Sequence, residues 1–250
     1  MKSYQIIEGL KQEYNNYTSE DFSVWKTLFE HQMKILPDVA SKEYLEGIKS
    51  ISFTKDKIPN FNETNDILGR LTGWNIFVVP GIVSEQDFFR LLSQKKFPAT
   101  TWLRKMSELD YISEPDMFHD VFGHMPLLTN QLFCDFFQTL GTLGIKYYDN
   151  KIITTMLGRI YWFTVEFGII KQKGKKKIYG AGILSSHGET LFSMSDMPLH
   201  LMFDAEVIMN THFENDKIQE KYFVIDSFQQ LYDSIPSINK IIENESEIAR

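Results

Sequence analysis

A chain of 250 residues, 43% apolar and 24% charged, can bury a sizeable core and has an ordinary globular make-up. Its formal net charge of −7 argues against nucleic-acid binding, which favours a basic face. The single cysteine, Cys134, excludes an internal disulfide, and neither a signal peptide nor an apolar run of the ~20 residues that span a membrane is visible, so the expected location is the cytoplasm.

Thr18 and Asp21 form a helix-cap pattern, and Phe22, Trp25, Leu28, Phe29 and Leu36 recur at helical spacing until Pro37 stops them. Helices follow at 41–50 and from about 62 to 71, the latter ended by Gly73. "WNIFVV" (74–79) reads as a strand, "SEQDFFRLLS" (84–93) as a serine-capped helix and "FPATTWL" (97–103) as a short strand. Helical patterns cover 129–144, with Cys134 among its core positions, and 153–170. The basic run "KQKGKKK" (171–177) reads as a solvated hairpin tip. Residues 177–184 look extended, 186–194 a short helix, 220–225 a strand and 226–235 a helix. The expected class is mostly α (α+β), a single compact helical domain over residues 1–250 (core about 18–236) with small, short strands. The elements do not alternate as in a Rossmann or TIM fold, and no GxGxxG or P-loop pattern supports nucleotide binding.

The chemistry concentrates in "HDVFGHMP" (119–126), with its two histidines five positions apart. Five steps along a straight α-helix turn side chains about 140° from one another. Convergence of His119 and His124 therefore needs the helix to loosen, and Gly123 and Pro126 mark the place. Glu114 and Pro115 suit its start. A third ligand should be a carboxylate in apolar surroundings, and Glu166 in "IYWFTVEFGII" is the only charge between Tyr161 and Ile170. Two histidines and a carboxylate suit a non-haem Fe(II) oxygenase. A zinc hydrolase could use the same three, although the HExxH spacing is absent. A core histidine and a salt-bridged glutamate are the plain alternative.

"EPDMFHDVFGHMPLL", "YWFTVEFG" and "YGAGILSSHGE", with "FPATTWLR", "TGWNIFVVPG" and "YFVIDSF", closely resemble the signature blocks of the pterin-dependent aromatic amino acid hydroxylases, over roughly residues 20–235. The resemblance is nearest to the short bacterial phenylalanine-specific members. It implies a monooxygenase that uses Fe(II), O2 and tetrahydrobiopterin, or another tetrahydropterin, to convert L-phenylalanine to L-tyrosine. Tryptophan or tyrosine as substrate stays open. His119, His124 and Glu166 would be the iron ligands and catalytic centre. Arg104 would hold the substrate carboxylate, Trp162 and Phe167 would surround its ring, and Ser185 would stand beside the substrate and His119. Phe88 would stack on the pterin, with Gly81, Val83, Asp120 and Tyr161 around it. Animal members carry regulatory and tetramerisation segments; this chain has no room for either, so a monomer is expected.

Overall fold

The computed structural model describes residues 3–109, 112–215 and 217–248. The cap at Thr18 forms as read: its hydroxyl accepts from Asp21 N, and the Asp21 carboxylate accepts from Thr18 N. Helix α1 (Ser19–Met33) buries Val24, Trp25, Leu28 and Phe29. Pro37 does not terminate it. Pro37 lies in the first turn of a short α2 (Leu36–Val39), where its missing N–H costs nothing. Helices α3 (Lys42–Ser50) and α4 (Phe61–Leu71) match the expected spans within one residue.

Strands β1 (Asn75–Val78) and β2 (Lys96–Ala99) pair in parallel across helix α5 (Glu85–Ser93). β2 ends four residues before the expected limit at 103. Helix α6 (Gln131–Lys146) carries Cys134, whose thiol donates to the Leu128 carbonyl. Burial pushes that thiol up to about 12, so Cys134 is a core residue rather than a nucleophile.

The helix expected over 153–170 breaks in the middle. Helix α7 (Lys151–Tyr161) passes into a π-helical segment, Trp162–Glu166, and the chain then extends as β3 (Ile169–Gln172). β3 turns back into β4 (Lys175–Ile178) through Lys173 and Gly174, with φ of 50° and 78°. Two positive φ values in a two-residue loop match the right-handed twist of a hairpin, so the basic run is its tip. Extension stops at Ile178, where residues to 184 were expected to continue. Ala181–Leu184 instead form helix α8. A Cβ on Gly180 would lie 2.4 Å from the Glu166 carbonyl oxygen, so glycine lets the chain turn tightly there.

Helix α9 (His187–Ser193), strand β5 (Leu199–Met202), helix α10 (Ala205–Met209), strand β6 (Lys221–Ile225), helix α11 (Phe228–Asp233) and helix α12 (Ile235–Ile248) complete the fold. The sheet order is β4-β3-β6-β5. β5, α10 and α12 had no counterpart in the sequence reading. Ile238 and Ile242 of α12 are buried, so the core reaches past residue 236. The apolar core extends from Val24 to Ile242. Trp25 of α1 packs edge-on against Phe118 and Phe122, fixing the segment that carries His119. Among the described residues, no helix is long and apolar enough to cross a membrane.

Candidate metal centre and its cavity

The widening that the histidine spacing demanded is a π-helical turn, Phe118–Gly123. Its i→i+5 hydrogen bonding brings positions five apart toward one face. The Nε2 atoms of His119 and His124 lie 3.4 Å apart. Three anchors hold this turn. Asp116 Oδ1 accepts the His119 backbone N–H at 3.2 Å. Phe118 and Phe122 stack with centroids 4.5 Å apart. Gly123 presses on α8, where a Cβ would lie 3.0 Å from the Ala181 carbonyl oxygen. Gly123 is the last residue of the π-helical turn, and its missing side chain also permits this close approach.

The second π-helical segment repeats the device. Tyr161 precedes Glu166 by five positions, and its hydroxyl donates to Glu166 Oε1. The same oxygen lies 3.2 Å from His124 Nε2, and Oε2 lies 3.7 Å from His119 Nε2. The side chains of His119, His124 and Glu166 are 19%, 3% and 8% exposed, so these groups meet largely out of water.

Hydrogen bonding fixes the proton on His119. Ser185 Oγ donates to the Ala181 carbonyl at 2.8 Å, which uses its one hydrogen. It must therefore accept at 2.9 Å from His119 Nδ1–H, leaving the Nε2 lone pair facing the other two groups. Burial pushes His119 down to about 4, so the ring is neutral. Burial would raise Glu166, but the adjacent imidazoles and the Tyr161 hydrogen bond outweigh it and hold the carboxyl at about 2. A neutral imidazole and an ionised carboxylate are the forms that ligate a metal.

The donor set fits a divalent first-row metal. Bonds of about 2.1 Å at right angles separate neighbouring donors by about 3 Å. His124 Nε2 lies 3.2 Å from Glu166 Oε1 and 3.4 Å from His119 Nε2, near that value, and the other carboxylate oxygen lies 3.7 Å from His119 Nε2. Among the described residues this is the one group of three such side chains that could hold an ion. All three donors come from two adjacent turns, so the opposite side is left for other ligands.

These residues line a cavity of about 710 Å³ with Gly81, Val83, Phe88, Asp120, Tyr161 and Trp162. A larger groove of about 1050 Å³ lies between α7, α10 and α12, and none of the three donors lines it. Phe88 meets Tyr161 edge-on at 5.1 Å. Asp120 Oδ2 accepts from the Thr100 N–H and hydroxyl. Burial pushes its carboxyl up to about 7 against those bonds. Arg104, Phe167 and Ser185 are not part of the cavity wall. Ser185 touches His119, and Phe167 lies 4.7 Å from Trp162. Arg104 is buried in a two-pronged ion pair with Asp116, Nε and Nη2 each donating at 2.9 Å, while Nη1 donates to the Leu109 carbonyl. Three of its five N–H groups are thus engaged.

Sequence reasoning passed over Asp116, Thr100, Phe97, Phe213 and Gln219. Phe97 packs on the His124 ring at 4.4 Å, and Phe213 stacks on Trp162 at the same distance. Asp116 had a signal: an acid directly after Glu114-Pro115 at the start of the histidine turn.

The chain matches the family described as biopterin-dependent aromatic amino acid hydroxylase over residues 3–249. It is 44% identical over 208 residues to a phenylalanine-4-hydroxylase of Chromobacterium violaceum, covering 83% of this chain and 70% of that protein. A phenylalanine-4-hydroxylase of Pseudomonas aeruginosa is 43% identical over 201 residues, 80% of this chain and 76% of the relative. The crystal structure of the Chromobacterium violaceum phenylalanine hydroxylase with bound oxidised Fe(III) superposes with a TM-score of 0.90 at 43% identity, over 94% of this chain and 86% of that one. A cobalt-bound structure of that enzyme gives 0.88 at 44% identity, covering 90% of this chain and 82% of that one. This chain belongs to the biopterin-dependent aromatic amino acid hydroxylases.

Proposed function

We propose that this chain is a phenylalanine 4-monooxygenase, converting L-phenylalanine to L-tyrosine with O2 and a tetrahydropterin at a ferrous centre held by His119, His124 and Glu166. The observation that carries the reading is the convergence of these three donors on one cavity. The names of the relatives support phenylalanine as substrate. Iron and pterin, when bound, supply the redox chemistry of O2 activation.

The protein's own groups bind, orient and exclude water. The two N–H groups of Arg104 not committed to Asp116 and Leu109 receive the substrate carboxylate, and Asp116 keeps the guanidinium plane fixed. Trp162 and Phe167 flank the substrate ring, and this apolar wall keeps water from the oxidant. Phe88, held edge-on by Tyr161, offers its face to the pterin, with backbone groups of Gly81 and Val83 at its edge. Asp120 reaches the pterin through water. Ser185 keeps the proton on His119 Nδ1 so that Nε2 can ligate. The reading also takes the chain as one catalytic domain, a cytoplasmic monomer; light scattering that returned a tetramer would count against the last point.

The test is anaerobic loading with Fe(II), then addition of phenylalanine, a tetrahydropterin and oxygen. Tyrosine is the expected product. Product from tryptophan or tyrosine alone would reassign the substrate. Activity with Zn(II) but not Fe(II) would refute the oxygenase reading.

A further inference from the structure

Trp162 is held by more than packing. Its indole N–H donates to Gln219 Oε1 at 3.0 Å. Gln219 is 6% exposed and lies in the connection between α10 and β6. Its Nε2 donates to the carbonyls of Glu214 and Lys217, both at 2.8 Å. Its backbone N–H donates to Glu189 Oε1 at 3.2 Å, and the same oxygen takes the Tyr222 hydroxyl. The amide orientation is therefore determined by chemistry. Turned over, its NH2 would face an indole N–H, and its oxygen would face two carbonyls.

This one residue joins three parts of the molecule, two through its side chain and the third, Glu189, through its backbone N–H. Trp162 belongs to the segment that ends in Glu166. Phe213, which stacks on Trp162 at 14° between ring planes, belongs to the connection that Gln219 folds. Glu189 belongs to α9, which carries no residue of the cavity wall. Trp162, Phe213 and Asn215 all line the cavity, so that wall is built from a helix end and an irregular loop. An irregular loop has no ladder of backbone hydrogen bonds to hold it, and Gln219 supplies the equivalent.

We propose that Gln219 is a positioning residue for the substrate-side wall: it locks the Trp162 indole to the 211–219 loop and so sets the slot for the substrate ring. It touches neither substrate nor metal. The proposal rests on the phenylalanine reading above and names a residue through which that pocket is shaped.

The experiment compares Gln219→Met, Trp162→Phe and the double variant. With Gln219→Met, KM for phenylalanine rises about tenfold and kcat stays within about threefold, because lost hydrogen bonds loosen binding and leave the reacting centre in place. In the metal-free protein, amide exchange over residues 211–215 and 217–218 accelerates about tenfold while α6 and β6 exchange as before. Trp162→Phe keeps a ring but removes the indole donor, so KM rises while loop exchange stays at the wild-type rate. The double variant raises KM by less than the product of the two single effects, since both changes break the same bond. Unchanged KM and unchanged loop exchange in Gln219→Met overturn the proposal. So does acceleration across the whole chain with KM unchanged, which marks a merely structural role. If Gln219→Met does not fold, an unchanged KM in Trp162→Phe overturns it alone. If wild-type protein makes no tyrosine, the functional reading falls, while the exchange comparison still decides whether Gln219 holds the loop.

Discussion

The two π-helical segments solve one geometric problem with different chemistry. Phe118–Gly123 brings two imidazoles together; Trp162–Glu166 brings a phenol to a carboxylate. In both, a helix widened by one residue makes positions five apart neighbours. The difference lies in what holds each. The first is pinned by polar contacts at its start and side: Asp116 on the His119 backbone and Ser185 on its ring. The second is pinned by the ligand itself, through Tyr161, and by the close approach of Gly180 to the Glu166 carbonyl. The first turn is thus braced away from its ligating nitrogens, whereas the second has one brace, Tyr161, on a carboxylate oxygen of the donor set, beside outside supports at Gly180 and Gln219. Breaking one support at a time should reveal that asymmetry.

The largest effect comes from the ligands. Glu166→Gln keeps the size and the Tyr161 contact but removes the charge. It should abolish stoichiometric Fe(II) binding, read by metal analysis, and bring tyrosine formation below detection. His119→Ala should do the same. Loading at wild-type stoichiometry in either variant would refute the assignment.

Next is Asp116→Ala. Its carboxylate is fully buried and bonded to Arg104, which is 8% exposed. Removal strands a buried guanidinium and frees the start of the histidine turn. Breaking such a pair costs about 3–5 kcal/mol, so the urea midpoint should fall accordingly. A loss below about 1 kcal/mol would mean that water reaches Arg104.

Ser185→Ala should act on metal affinity rather than on folding. Without the acceptor at Nδ1, His119 is free to place its proton on Nε2. Removing such an outer partner costs about 10–100-fold in affinity or activity. Fe(II) titration measures it, and unchanged affinity would show that the tautomer is held elsewhere.

The three donors of this site, and several elements of the fold, were legible from residue types, and the reasons are local. The cap at Thr18, the hairpin tip at Lys173-Gly174 and the histidine spacing are short-range patterns with one economical backbone solution. Glu166 stood out as a lone charge in an apolar run. The second widened turn was hidden because one extra residue barely disturbs apolar periodicity; the helix therefore read straight through from 153 to 170. The partners were hidden for another reason. Thr100 bonds Asp120 across 20 positions, and Trp162 bonds Gln219 across 57, distances over which only the folded core decides who meets whom. Arg104 shows both sides: a functional residue by resemblance, it is also the buried half of an ion pair whose other half went unnoticed.

Tyr161→Phe should have the smallest effect and tests the asymmetry most sharply. The phenol donates to the ligand oxygen and meets the rings of Phe88 and Phe137, and phenylalanine preserves those ring contacts. What is lost is one hydrogen bond to an anion already facing two imidazoles. A bond to a charged group contributes about 1.5–3 kcal/mol in general, but a bound metal would take over much of that role once it neutralises the carboxylate. The metal-free and metal-loaded proteins should therefore differ. Without metal, Tyr161→Phe should lower stability by about 1–2 kcal/mol, because Glu166 loses its one hydroxyl donor. With Fe(II) bound, the loss should shrink to about 0.5 kcal/mol, and iron affinity should rise slightly, since the carboxylate lone pair is no longer shared. Equal losses in both forms would mean that the phenol braces the second turn from outside, as Ser185 and Asp116 brace the first, and the contrast between the two segments would disappear.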